Sequence, residues 1–249
     1  YLIALGMRPD LAGGALFVFG YPNDVSLSRS GQFLGREMRR CVADPDKAFF
    51  VCHSAGGLVF RWYAEVRKGG FDRAVFLAVP HAGSAMAEFT TVVNLGRFVL
   101  DVPEGLDYAL EDAFGEGDGQ IARDLHPDSL FLRRLGREPH PVARYQIFYG
   151  AVFDFWQALE LQAGFAVAKR CAEEATAEFV PFPDAQARLM RLVEHTQLPE
   201  EVTDGDLAVS ARSASLPGVV KTTGLRMMHE SFRYDPDVIR RVTDAILDR

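Results

Sequence analysis

Cysteine is scarce: Cys41, Cys52 and Cys171 are an odd number, far apart in the chain, and form neither a disulfide framework nor a zinc-ligand pattern. A basic surplus is also missing. Acidic residues outnumber basic ones, 34 to 27, and the net charge of -7 provides no global field to draw nucleic acid or an anionic membrane. No apolar stretch reaches the roughly 18 uncharged residues that a membrane span needs, and no basic-then-apolar signal segment opens the chain. Internal repeats, nucleotide motifs and metal motifs are absent, so no cofactor and no metal are expected. Apolar matter is present in ordinary measure. Hydrophobic residues make up 48% of the 249 residues, enough for one large α/β domain with a sizeable core. The opening Tyr1-Leu2-Ile3-Ala4-Leu5-Gly6-Met7 reads as the end of a helix stopped by Gly6, with further strands expected upstream.

Ala15 to Tyr21 and Ala48 to Cys52 are short apolar runs bounded by turn residues, and Ser28 to Val42 between them has helical spacing. Gly57 to Lys68 is amphipathic and stops at Gly69-Gly70, and Arg73 to Val79 is again a continuous apolar strand. Arg144 to Gly150 and Gly218 to Thr222 read as two further strands, and Asp237 to Leu247 as a closing helix. This alternation predicts a mostly parallel sheet flanked by helices. Residues 1–249 are thus one domain, with 84–141 and 151–200 as cap or lid insertions; a simple cover over one end of the sheet is the plainer alternative.

Ser54 lies between an apolar strand and a helix, in Phe50-Val51-Cys52-His53-Ser54-Ala55-Gly56-Gly57. A serine on a tight strand-to-helix turn needs small residues two before and two after it, here Cys52 and Gly56. Such a turn aims the next backbone N–H, that of Ala55, at a developing oxyanion. The plainer reading is a serine N-cap with glycines for close packing.

A serine hydroxyl becomes a useful nucleophile only when a neutral imidazole takes its proton and a carboxylate orients that imidazole. Of the six histidines, only His229 follows the last expected strand and precedes the closing helix, which makes it the candidate base. His53 and His81 are expected to shape the substrate site, His126 and His140 precede prolines as turn residues, and His195 sits in a charged amphipathic run. For the acid three aspartates remain open: Asp206, Asp204 as an Asp-Gly turn former, and Asp154 after the strand ending at Gly150.

With these residues in place the chain resembles the lipase and lecithin:cholesterol acyltransferase-like branch of the α/β hydrolases. Cys52 to Val59 is similar to that family's HSMGGLV elbow, and Ala78-Val79-Pro80-His81-Ala82-Gly83-Ser84 to its TPHHGS turn. Asp204-Gly205-Asp206-Leu207-Ala208-Val209 resembles its D-G-D-G-T-V segment, whose second aspartate is catalytic, which favours Asp206; Ser213-Ala214 falls where the family often has Ser-Ala. The resemblance implies an α/β-hydrolase fold and a Ser54–His229–Asp206 triad that hydrolyses carboxylic esters through an acyl-enzyme. It also implies a first oxyanion donor upstream of Tyr1. Aromatic residues in the insertions, among them Phe89, Phe98, Phe153, Phe155, Trp156, Phe165 and Phe179, suit an apolar or lipid ester and transient contact with a lipid interface. An acyltransferase on the same triad, and a non-catalytic binding module of this fold, are the alternatives.

Overall fold

The computed structural model describes residues 16–86, 120–151, 163, 165–167, 169–174, 176–177, 182–197, 200 and 204–247, and the backbone of 2–5. Its centre is a six-stranded sheet: β1 (Leu2–Leu5), β2 (Leu16–Phe19), β3 (Phe49–His53), β4 (Arg73–Leu77), β5 (Tyr145–Gly150) and β6 (Thr222–Leu225), in the order β2-β1-β3-β4-β5-β6. Strands β3 to β6 run parallel, and β1 alone is antiparallel to both of its neighbours.

Two segments depart from the sequence reading. Leu2–Leu5 is a strand and not a helix end, because its backbone pairs along β3, from Leu2 opposite Cys52 to Leu5 opposite Phe49. Lying between β2 and β3, its backbone groups find partners on both sides, which half a turn of helix does not provide. The last strand begins at Thr222, later than expected, because Gly218 adopts a positive φ of 82° and turns the chain first.

Strand alternation sorts the core into two faces. Phe50, Cys52, Ala74, Phe76, Tyr145 and Ile147 point to one side, against α1 (Leu27–Cys41) and α2 (Ala55–Arg61). Val51, Val75, Leu77 and Phe148 point to the other, against Val238 and Val242 of the closing helix Pro236–Leu247. Both faces are buried, which is why these strands read as unbroken apolar runs. Helix α1 begins at Ser26, whose Oγ accepts from the Arg29 N–H, and buries Leu27, Leu34 and Met38. Phe60 of α2 packs its ring against Phe50 at 4.5 Å, Phe71 at 5.0 Å and Phe76 at 5.8 Å. Each such pair is worth about 0.5–1.5 kcal/mol beyond its buried area.

Helix α2 continues as a π turn, Trp62–Val66. Arg61 and Glu65 face each other in its wall as a two-pronged ion pair, both bonds 2.9 Å long, with side chains 3% and 0% exposed. The Tyr145 hydroxyl donates to Glu65 Oε1 at 2.9 Å, so the network ties α2 to β5. Gln120–Leu125 and Leu130–Leu135 are short helices, and Pro183–His195 is a longer one. The Asp124 carboxylate accepts from the Leu27 N–H at 2.7 Å, which fastens the helix Gln120–Leu125 to the start of α1. Among the described residues no helix is long and apolar enough to cross a membrane.

Removing Glu65 leaves the Arg61 charge buried without a counter-ion. Glu65→Ala is expected to lose about 3–5 kcal/mol of unfolding free energy, read from urea denaturation.

Candidate active site

Ser54 ends β3 and opens α2 with φ 52° and ψ -138°, outside the geometry of an ordinary N-cap. Its side chain makes no capping hydrogen bond, so the hydroxyl is not consumed in starting the helix. The turn is held by the Ser54 N–H, which donates to the Leu77 carbonyl at 3.0 Å. It is also held by packing: a Cβ on Gly57 would come within 2.3 Å of a Val79 methyl. Cys52 is wholly buried, and burial pushes its thiol well above the usual range, so it fills space as a neutral group. Ala55 is the first residue of α2, where backbone N–H groups have no partner inside the helix and the dipole favours negative charge.

His229 and Asp206 meet at the other side of this turn. His229 follows β6 at the start of a short 3₁₀ segment, His229–Arg233, and its Nδ1–H donates to Asp206 Oδ2 at 3.0 Å. Both residues are buried, at 4% and 1% exposure, so the bond is not diluted by solvent. The other carboxylate oxygen accepts from the N–H groups of Ala208 at 3.1 Å and Val209 at 2.7 Å. The His229 N–H in turn donates to the Asp206 carbonyl at 3.1 Å. With Nδ1 protonated, Nε2 keeps the lone pair that a base needs. Of the other aspartates, Asp204 is exposed, and Asp154 lies outside the described residues.

His53, beside Ser54 in the chain, joins the two halves. Its Nε2–H donates to the His229 carbonyl at 3.1 Å, and the two rings lie 4.7 Å apart. Burial and the neighbouring His229 ring hold the His53 imidazole well below its ordinary titration range. His81 is placed deeper, at 7% exposure, with its edge on Phe76 and Arg61 donating to its Nδ1 at 3.5 Å. Burial and the Arg61 guanidinium keep it neutral as well. His140 donates to the Pro217 carbonyl, and His195 ends the helix Pro183–His195.

For several participants the sequence gives a motif position but no contact. Ser84 Oγ donates to the Ala208 carbonyl at 2.9 Å, and Ser213 Oγ donates to the Gly83 carbonyl while accepting from the Ala82 N–H. The turn from Pro80 to Ser84 therefore clamps the acid loop. Gly150, at the end of β5, gives that loop its room: a Cβ there would lie 2.5 Å from Asp206 Cβ and 2.5 Å from the Met227 carbonyl oxygen. Leu207 has φ 77°, a left-handed backbone at the position where the D-G-D-G-T-V pattern has glycine.

Neither a protein-family model nor a curated protein sequence matches the chain. Among solved structures, the mature form of the Bacillus licheniformis lipase BlEst2 superposes with a TM-score of 0.56 at 18% identity, over 94% of this chain and 79% of that one. The fold is that of an α/β hydrolase. The propeptide form of the same lipase gives a TM-score of 0.49 at 17% identity, covering 92% of this chain and 43% of that one. Ser54 follows β3, His229 follows β6, and Asp206 lies against Gly150 at the end of β5, so all three stand at the carboxyl end of the parallel strands.

Two measurements test this geometry. Leu207→Gly releases the left-handed strain and is expected to raise stability by up to about 1 kcal/mol after glycine's extra unfolded-state entropy is counted. His53 and His81 stay neutral in the folded chain below the ordinary 6.5, whereas the unfolded chain takes up their protons there. Stability is therefore expected to hold above about pH 6.5 and to fall on acidification below it, by up to about 1.4 kcal/mol per pH unit for each histidine. Urea midpoints measured from pH 8 to pH 5 read this slope, and His81→Gln should flatten it.

Proposed function

We propose that the chain is a serine-dependent carboxylic ester hydrolase, with Ser54 as nucleophile, His229 as general base and Asp206 as its orienting acid. The observation that carries this reading is the buried His229–Asp206 bond, tied through the His53–His229 contact to a serine turn whose hydroxyl is left uncapped. In the reaction His229 Nε2 takes the Ser54 proton as Oγ attacks the ester carbonyl. The tetrahedral oxyanion is met by the Ala55 N–H, supported by the start of α2. Collapse expels the alcohol, which receives the proton from His229, and leaves an acyl-enzyme. Water, activated by the same imidazole, then releases the carboxylic acid and restores Ser54.

Asp206 has two tasks in this scheme. It fixes the tautomer with Nδ1 protonated, and it offsets the positive charge that His229 gains in each transition state. The Ala208 and Val209 N–H groups bond its other oxygen and hold the side chain in place while it does so.

An apolar or lipid ester is the proposed substrate. Support comes from the aromatic content of the two insertions and from the lipase name of the similar structure. Of Phe89, Phe98, Phe153, Phe155, Trp156, Phe165 and Phe179, only Phe165 falls among the described residues, packed with Ala172, Leu192 and Val193. Residues 84–141 and 151–200 are the proposed cap.

A fluorophosphonate probe, read by intact and peptide mass spectrometry, is expected to leave one adduct on Ser54 and none on Ser54→Ala. Asp206→Asn is expected to cut ester turnover by roughly four orders of magnitude while leaving the fold intact. Long-chain nitrophenyl esters should outrun the acetate. A folded chain that never takes up the probe, and hydrolyses no ester, would instead be a binding module.

A further inference from the structure

One donor atom from each of His53, His229 and Glu230 lies within 4.8 Å of the other two. The hydrogen bonds of the two imidazoles leave one lone pair on each ring. His53 keeps Nδ1 free, because its Nε2–H donates to the His229 carbonyl, and His229 keeps Nε2 free, because its Nδ1–H donates to Asp206. A histidine that binds a metal ordinarily donates its other ring N–H to a carboxylate or a backbone carbonyl, which fixes the tautomer and strengthens the ligand. Both arrangements occur here, side by side. Glu230, half-buried and next in the chain, supplies an oxygen; its own partner is Arg233 at 2.6 Å, and the Arg233 side chain is 45% exposed. An ion pair so open to solvent holds the carboxylate weakly.

We propose that His53, His229 and Glu230 form an inhibitory site for a divalent transition metal, zinc above all, which occupies the lone pair with which His229 would accept the Ser54 proton. Two imidazoles and one carboxylate make up a three-residue zinc set with a fourth position open to water. Tetrahedral donors about 2.0–2.1 Å from the ion stand roughly 3.3 Å from one another, closer than the spacing of up to 4.8 Å found here, so the side chains must draw together to bind it. Side-chain rotation of Glu230 and the loss of its Arg233 contact are the main adjustments. Asp206, bonded behind His229, balances part of the added charge. Magnesium and calcium call for cages of oxygen and do not suit a pair of imidazoles. Binding changes no covalent bond: the ion exchanges bound water for protein ligands, and ester cleavage stops because the imidazole can no longer take a proton. The inhibition rests on the proposed function; the binding does not.

Isothermal titration of the whole, EDTA-treated chain with zinc chloride at neutral pH is expected to show one ion per chain, and magnesium chloride none. His53→Ala and Glu230→Gln, each checked for folding by circular dichroism, are expected to weaken zinc binding by about tenfold or more. The rate at which a fluorophosphonate labels Ser54 should fall with zinc occupancy and recover with EDTA. Glu230→Gln should keep the zinc-free rate and lose most of the zinc effect. Absence of zinc binding, or unchanged affinity in both folded variants, overturns the site, and binding that leaves labelling unchanged overturns the inhibition. Labelling that fails with no metal present counts against the ester-hydrolase reading alone, and the titration still decides the metal site.

Discussion

The Asp206 carboxylate is the contact on which the carboxyl-terminal half of the site depends. One oxygen is tied to the backbone of its own loop through Ala208 and Val209, and the other to the His229 ring. Its carbonyl also receives the His229 N–H, so the acid loop and the histidine loop are joined at two points. Ser84 and Ser213 then anchor the acid loop to the turn after β4, the strand that lies beside the serine-bearing β3. A buried charge with satisfied lone pairs rigidifies its surroundings, whereas an unsatisfied one destabilises them. The orientation of His229 is therefore no better than the packing that keeps Asp206 dry.

The same region concentrates backbone strain. Four described non-glycine residues have positive φ, and three of them, Ser54, Ala78 and Leu207, lie on the serine turn, the turn after β4 and the loop that carries Asp206. Each costs on the order of 1–3 kcal/mol and persists only where the surroundings over-determine it. The surroundings here are a sheet buried on both faces and braced by the Arg61–Glu65–Tyr145 network. Stability held in the core thus keeps the serine turn and the acid loop in conformations that short peptides of the same sequence would leave.

Most of the fold was legible because burial on both faces writes itself into the chain as apolar runs. Ala48 to Cys52 and Arg73 to Val79 announce β3 and β4 without reference to any partner. Leu2–Leu5 was not legible, since its state is decided by the free edge of β3 some 45 residues onward. Chain order left three aspartates open as the partner of His229, and the likeness of Asp204 to Val209 to the D-G-D-G-T-V segment favoured Asp206, which the structure bonds to His229 while Asp204 is exposed. The depth of His81, the clamp made by Ser84 and Ser213, and the approach of Glu230 to the two imidazoles are contacts between loops far apart in sequence. No periodicity encodes such contacts. Leu207 is the opposite case: its strain is written in the sequence as a missing glycine, and the φ value makes it visible.

The 176 residues between His53 and the carbonyl it bonds at His229 also order events in time. A ribosome adding about 5–20 residues per second delivers the serine turn on the order of ten to thirty seconds before the imidazole arrives. Through that interval the growing polypeptide carries Ser54 without its proposed base. Whatever chemistry the completed site performs is withheld from the nascent chain until translation reaches the last loop.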